Sequence, residues 1–156
     1  MVKLRKADQQ EFDRILSRYL EEPEVRKMDT YKAHGKVSVL QHSLDVAKMA
    51  YYLDKRFKVN ADTETLLTGA ILHDFYGYDW HQKKLDFNIF KMHGFTHPGA
   101  ACENAINTFH IDDRTQEVIR SHMWPLTMRS VPKHKEAILV CIADKLVALK
   151  ETVLER

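Results

Sequence analysis

The chain has 156 residues, of which 44% are hydrophobic and 29% are charged, which is the composition of a folded domain rather than of a disordered chain. Its 24 Lys and Arg residues nearly balance 22 Asp and Glu residues, so the net charge of +2 gives no field that favours DNA, RNA or a membrane surface. The N-terminal residues are polar, and no apolar run approaches the ~18 residues that span a bilayer. We therefore predict a single cytoplasmic domain, residues 1–156, without nucleic-acid or membrane partners.

Helix-period spacing of apolar residues dominates the chain, and only 5 Gly and 4 Pro interrupt it. The first predicted helix runs from about Asp8 to Glu22, and Pro23 ends or interrupts it. This helix and its connector form an N-terminal segment, residues 1–34. The second predicted helix follows Gly35 and is expected to bury an aliphatic and aromatic stripe.

The third predicted helix starts near Asp62, a residue type that caps helix N-termini. Its apolar stretch ends at the adjacent His73 and Asp74, and Gly77 stops it. Residues 78–95 are predicted to form a loop with room for one short helix. Loops of this length in compact domains are often functional.

Three further helices are predicted in the second half of the chain. One opens at Thr96-His97-Pro98 with Thr96 as its N-cap, and the next is capped by Asp112 or Asp113. The last runs from about residue 135 to residue 154, with apolar residues along one side: Ile138, Cys141, Ile142 and Leu149. The strand signal is negligible, so the sequence predicts an all-α bundle of about six helices. Both cysteines, Cys102 and Cys141, are expected to be buried free thiols.

Four acidic or imidazole side chains fall on the apolar faces or at the ends of separate predicted helices: His42, His73, Asp74 and Asp144. Two imidazoles and two carboxylates form a mixed nitrogen and oxygen set that suits Mn, Fe, Co, Ni or Zn. Adjacent helical residues point about 100° apart, so His73 and Asp74 can share a site only beside or beyond the end of their helix. Taken singly, His42 would more often be a core histidine with an ordinary hydrogen bond.

Asp144 is the most informative of the four, because it ends the very apolar segment AILVCIAD. A carboxylate in such surroundings is costly to bury unless it is paired or bound to a metal. The alternatives are a buried salt bridge, with Arg120 or Lys48 as the partner, or an aspartate on the solvated face of the helix.

In this order, His42, His73-Asp74 and Asp144 resemble the metal-binding signature of the HD-domain superfamily. Its members are helical, metal-dependent phosphohydrolases that act on nucleotides, cyclic dinucleotides, (p)ppGpp and dinucleoside polyphosphates. The strings VLQHSLDVA, GAILHDFY and AILVCIADK look like the three family blocks. The likeness covers about residues 37–151, which would be the metal-binding core.

The resemblance extends to His97 in THPGAA and His122 in IRSHMWP, where two-metal members place additional histidines. The symmetrical dinucleoside tetraphosphate hydrolases look similar in this interval. The resemblance thus implies one or two divalent ions (Fe, Mn, Co, Ni, Zn or Mg), with Asp74 as a bridge between them. The implied ligands are His42, His73, Asp74, His97, His122 and Asp144. His97 could instead be a histidine that only caps a helix.

The function implied by the resemblance is hydrolysis of a phosphomonoester, phosphodiester or phosphoanhydride in a small, nucleotide-like substrate by a metal-activated water. The implied catalytic residues are His73, Asp74 and Lys145, which directly follows Asp144 as often happens in the family. One alternative is a module that retains the metal and senses a nucleotide without turnover. Another is a structural helical protein without metal.

The chain departs from many of these relatives, which carry a lysine soon after the His-Asp pair. Here Phe75 and Tyr76 follow the pair. The aromatic residues Phe75, Tyr76, Tyr78 and Trp80 fit either a base-stacking pocket or core packing. The candidate phosphate contacts, each of which could be an ordinary surface group, are His81, Lys83, Lys84, Lys91, His93 and Arg129.

Overall fold

The structure, a computed structural model, describes residues 2–33, 36–77 and 93–154, with only the backbone described at residues 93–95 and 154. Within these ranges the chain forms seven α-helices: α1 (Lys6–Leu20), α2 (Pro23–Lys27), α3 (Val39–Phe57), α4 (Thr63–Leu72), α5 (His93–Phe109), α6 (Asp113–Ser121) and α7 (Lys135–Leu154). One isolated bridge joins Lys32 and Ser38, and the described ranges contain no strand. The predicted all-α fold is confirmed. None of the helices in these ranges combines the length and the apolar character needed to cross a bilayer.

Helix starts follow the capping chemistry of the sequence. The predicted cap Asp62 accepts a hydrogen bond from the Thr65 amide at 2.8 Å. Of the two aspartates considered for α6, Asp112 is the cap, and it accepts from the amide of Thr115 at 2.8 Å. These bonds satisfy amides that have no partner within the helix.

Two helix boundaries differ from the prediction. Pro23 does end the first helix, but it also opens the five-residue α2, where its missing amide costs no hydrogen bond. Helix α5 begins at His93, so Thr96 is not its N-cap and Pro98 lies inside the helix. The sequence did not reveal this extra turn because His93 and Gly94 are weak helix formers.

The hydrophobic core lies around α3 and α4. Helix α3 packs along both α4 and α7, and α4 also contacts α1 and α6. Helix α5 packs mainly against α6. Helices α4 and α6 approach each other closely at Gly69, where an added Cβ would lie 2.4 Å from Cγ1 of Val118. This arrangement brings the C-terminal ends of α4 and α6 close to His42 in the first turn of α3.

The side of α7 that the sequence marked as apolar is mostly its exposed side. Ile138, Ile142 and Leu149 are exposed, whereas Cys141 is buried. The buried side consists of small and aliphatic residues together with all three acidic residues of the helix: Glu136, Ala137, Val140, Ala143, Asp144, Val147 and Glu151. Because α7 carries apolar residues on nearly every side, periodicity alone does not identify its inner face. Both cysteines are free and buried, as predicted.

Candidate metal centre

The six side chains predicted as metal ligands converge on one largely buried cluster. Helix α3 contributes His42, the C-terminal end of α4 contributes His73 and Asp74, and the rest come from α5, the end of α6 and α7. In two groups of three, the possible ligand atoms all lie within 4.8 Å of one another: His42, His73 and Asp144, and His73, Asp74 and His122. His97 joins the second group, with its Nε2 3.2 Å from Oδ1 of Asp74.

The adjacent His73 and Asp74 can face one site because they lie at the end of α4, as expected. The helix ends at Leu72 with His73 as its C-cap, and Nε2 of His73 lies 3.5 Å from Oδ2 of Asp74. Gly77 then adopts a left-handed conformation, φ +73°, which glycine accommodates without strain. The amide side chain of Asn104 donates to the carbonyl of Phe75 at 2.9 Å and ties this turn to α5.

Two of the histidines are oriented by their own helices. Nδ1 of His73 lies 2.7 Å from the carbonyl oxygen of Ala70, and Nδ1 of His122 lies 2.7 Å from that of Ile119. Since a carbonyl only accepts, each Nδ1 carries the hydrogen and donates it. In a neutral ring the Nε2 lone pair is then directed into the cluster, which is the form that binds a metal.

His42 is oriented by Glu151, a residue to which the sequence analysis gave no role. Nδ1 of His42 lies 2.9 Å from Oε2 of Glu151, and its Nε2 lies 3.1 Å from Oδ1 of Asp144. Both carboxylates come from the buried side of α7, and seven residues, close to two helical turns, separate them. The spacing of Glu151 from Asp144, within an apolar helix, was the signal in the sequence that could have identified this residue.

Asp74 lies at the middle of the cluster. Burial alone would raise the pKa of Asp74, but the imidazoles of His73, His97 and His122 outweigh burial and hold this pKa well below its ordinary value. The carboxylate is therefore ionised at neutral pH. It faces histidines from three helices, as a ligand between two metal positions would.

Protons in the cluster are held by atoms that a metal ion would also bind. Burial alone would lower the pKa of His42, but hydrogen bonds to Asp144 and Glu151 outweigh burial and raise it to about 10. For Asp144, burial acts to raise the pKa, and the hydrogen bond from His42 overcomes it, giving a pKa of about 2. Burial and the neighbouring His73 and His97 rings lower the pKa of His122 to about 3, so this ring stays neutral. A metal ion would take the place of the proton on Nε2 of His42.

A metal fits a nitrogen that the described protein groups leave without a hydrogen bond. Nε2 of His73 is fully buried and has no hydrogen-bond partner within the described part of the chain. An orphaned buried donor or acceptor is costly. A cation bound by this lone pair removes the cost, and imidazoles with carboxylates suit first-row transition ions and zinc. Nε2 of His97 and Nε2 of His122 lie 2.9 Å apart, and because Nδ1 of His122 holds that ring's hydrogen, His97 is the donor in this contact.

Lys145 lies at the rim of the cluster rather than among the ligands. Its Nζ donates to the carbonyl of His122 at 2.8 Å and lies 4.0 Å from Oδ2 of Asp144, with 44% of the side chain exposed. Phe75 and Tyr76 are buried, and the ring of Tyr76 meets that of His97 edge-on. Several predicted substrate contacts lie outside the described side chains: Tyr78, Trp80, His81, Lys83, Lys84, Lys91 and His93.

A comparison with protein-family models matches residues 39–149 to the HD domain. Comparisons with curated proteins and with solved structures gave no match. The matched residues make up most of the chain and include every side chain of the metal-compatible cluster, from His42 to Asp144. The chain therefore belongs to the HD-domain family, whose members are generally metal-dependent hydrolases of the phosphohydrolase type.

Proposed function

We propose that this protein is a metal-dependent phosphohydrolase that cleaves a phosphomonoester, phosphodiester or phosphoanhydride in a small, nucleotide-like substrate. The observation that carries the proposal is that Nε2 of His73, amid converging imidazoles and carboxylates, has no hydrogen-bond partner among the described residues. A purely structural cluster would satisfy that buried nitrogen within the protein.

The donors divide into two candidate ion positions. His42, His73 and Asp144 would hold the first ion, with Asp74 beside them. His97 and His122 would hold the second, and Asp74 lies within reach of both positions. A divalent ion bound there supplies a water nucleophile at neutral pH and a Lewis acid for the phosphoryl oxygens. The imidazole-rich donors favour Mn, Fe, Co, Ni or Zn over Mg, which prefers oxygen ligands.

The protein's own residues perform the remaining tasks. His73 and His122 donate their Nδ1 hydrogens to backbone carbonyls, so Nε2 of each ring is directed into the cluster. Asp74 keeps its negative charge at the centre of the cluster, where it offsets the charge of the bound cations. Lys145 brings a positive charge to the half-exposed rim, where a phosphate oxygen of the substrate can accept from its Nζ.

The proposal is tested by combining metal analysis with turnover. Purified protein, metal-free and reloaded with Mn²⁺, Fe²⁺, Co²⁺ or Ni²⁺, is assayed on pNPP, bis-pNPP, nucleoside monophosphates and diadenosine tetraphosphate. We expect metal-dependent release of product, and loss of both metal and activity in His73→Ala and Asp144→Ala. His134→Ala, at an exposed histidine before α7, serves as the matched control and is expected to behave like the unmodified chain.

Two outcomes would contradict the proposal in different ways. Equal metal content in the unmodified chain, His73→Ala and Asp144→Ala would indicate a structural cluster. Full metal loading with nucleotide binding but without product would favour the alternative, a nucleotide-sensing module. The absence of a lysine directly after the His-Asp pair is the one feature that favours this alternative.

A further inference from the structure

Helix α7 carries an aliphatic stripe on its exposed side that no described part of the chain covers. The stripe consists of five side chains, each 43–62% exposed: Ile138, Ile142, Leu146, Leu149 and Val153. At 100° per residue these positions fall within about 80° of the helix circumference and extend along about 22 Å of it. Monomeric proteins rarely leave so continuous an apolar surface in contact with water.

The spacing of the stripe is almost symmetric about a point between residues 145 and 146. When two copies of α7 run antiparallel about that point, Ile138 faces Val153 of the partner subunit and Ile142 faces Leu149 of the partner subunit. Leu146 then lies beside its own equivalent near the axis. A patch that matches itself after a half-turn is the requirement for an isologous two-fold interface.

The exposed apolar area is sufficient for such an interface. The connection between α6 and α7 adds four exposed side chains: Trp124, Leu126, Met128 and Val131. It is tied to α7 where the thiol of Cys141 meets the carbonyl of Trp124 at 3.2 Å, one residue from Ile142. Together the nine side chains expose on the order of 900 Å², compared with roughly 800 Å² per partner in a standard stable interface.

The charges on α7 do not oppose this pairing. All three acidic residues of the helix, Glu136, Asp144 and Glu151, are buried. Lys145 is the charged residue nearest the symmetry point, and its Nζ is turned back onto the carbonyls of His122 and Cys141 of its own chain. We propose that the chain forms a two-fold symmetric homodimer through antiparallel packing of the α7 stripe.

The first test is the mass of the full chain in solution by sedimentation velocity between 1 and 100 µM. We expect about twice the monomer mass of 18.3 kDa for the unmodified chain. Ile142→Glu/Leu149→Glu should sediment as a monomer, with dimer affinity weakened at least 100-fold. Phe57→Glu, at an apolar residue 67% exposed on α3, is the matched control and should remain dimeric.

The second test examines the register and does not depend on how well the glutamate variant folds. A mixture of Ile138→Cys and Val153→Cys chains should form a disulfide-linked dimer under mild oxidation, whereas each variant alone should not. A monomeric unmodified chain at all concentrations, a dimeric glutamate variant, or equal crosslinking of the single variants would overturn the proposal. Binding of a monomeric chain to anionic lipid vesicles would also overturn it and would assign the stripe to a membrane surface.

Discussion

At the scale of single residues, the metal centre depends on which nitrogen of each imidazole carries the hydrogen. His73 and His122 lie just past the ends of α4 and α6, where backbone carbonyls lack partners within the helix, so the rings bind the carbonyls of Ala70 and Ile119. His42 lies inside α3, where the neighbouring carbonyls are already engaged by the helix. It therefore needs an external acceptor, and Glu151 supplies it.

This difference makes Glu151 a positioning residue for the metal site. We expect Glu151→Ala to weaken metal binding by about 10- to 100-fold, because His42 loses the acceptor that fixes its ring and strengthens its Nε2 as a ligand. Glu151→Gln keeps an acceptor oxygen but loses the charge, so its effect should be smaller. Titration calorimetry with Mn²⁺ on the metal-free protein measures both affinities.

Glu103→Gln, at an exposed glutamate of α5, is the control for the charge change and should leave metal affinity unchanged. If Glu151→Ala binds Mn²⁺ as tightly as the unmodified chain, the carboxylate has no influence on the site.

A second prediction at this scale concerns the α6 cap and pH. Hydrogen bonds from the side chain and backbone of Thr115 lower the pKa of Asp112 below its ordinary value of 3.8. A carboxyl whose pKa is lower in the folded state stabilises the fold above its unfolded pKa, and this contribution is lost as the pH falls through the folded pKa. Asp112→Asn keeps the cap but does not titrate, so the stability advantage of the unmodified chain over this variant should shrink below about pH 4.

Urea unfolding of the metal-free protein at pH 7, 5 and 3.5 measures this effect. Asp112→Ala removes the cap itself and should cost about 1 kcal/mol at pH 7 relative to Asp112→Asn. An advantage of the unmodified chain over Asp112→Asn that stays constant down to pH 3.5 would show that the carboxylate is not stabilised by folding.

At the scale of helices, the approach of α4 to α6 sets the distance between two of the proposed ligands. Gly69 meets Val118, and each ligand follows four residues later on the same helical face: His73 on α4 and His122 on α6. The two imidazole centroids are 4.8 Å apart. A side chain at position 69 would therefore push apart the ends of the helices that carry the ligands.

We expect Gly69→Ala to destabilise the protein by about 1–3 kcal/mol, because its methyl group overlaps Val118 in a closely packed interior. It should also weaken metal binding. Val118→Ala in the same chain removes the overlapping methyl groups and should restore part of both losses. Thermal unfolding and Mn²⁺ calorimetry on the two single variants and the double variant form a complete cycle. Additive losses in the double variant would mean that the two residues do not oppose each other.

The sequence predicted helix boundaries best where they depend on interactions between residues close together in the chain. Asp62 was identified, and the cap of α6 was narrowed to Asp112 or Asp113, because a cap depends only on residues three positions away. The inner side of α7 was not identified, because the orientation of this helix depends on which side chains of α3 and α4 it packs against. The buried carboxylates of Asp144 and Glu151 face the histidines, and the aliphatic stripe is left outside.

At the scale of the whole molecule, the order of His42, His73-Asp74 and Asp144 along the chain was enough to identify the family. It was not enough to identify Glu151, because the role of that residue rests on its contact with Nδ1 of His42, which joins two helices far apart in the chain. Motifs thus predict the metal ligands, whereas the groups that orient them depend on packing between distant helices.

Because the proposed ligands come from α3, α4, α5, α6 and α7, a bound metal should stabilise the whole fold rather than one loop. Without metal, the partly buried Asp74 faces histidines, and the buried Asp144 faces histidines and the Nζ of Lys145 at 4.0 Å. At a free Mn²⁺ concentration 100 times its dissociation constant, binding to the folded state adds about 2.7 kcal/mol. For a domain of this size, that gain corresponds to a rise in Tm of about 5–10 °C.

Scanning calorimetry with EDTA and with Mn²⁺ should show this shift in the unmodified chain and in His134→Ala but not in His73→Ala. A shift of the same size in His73→Ala would mean that Mn²⁺ stabilises the protein at some other place.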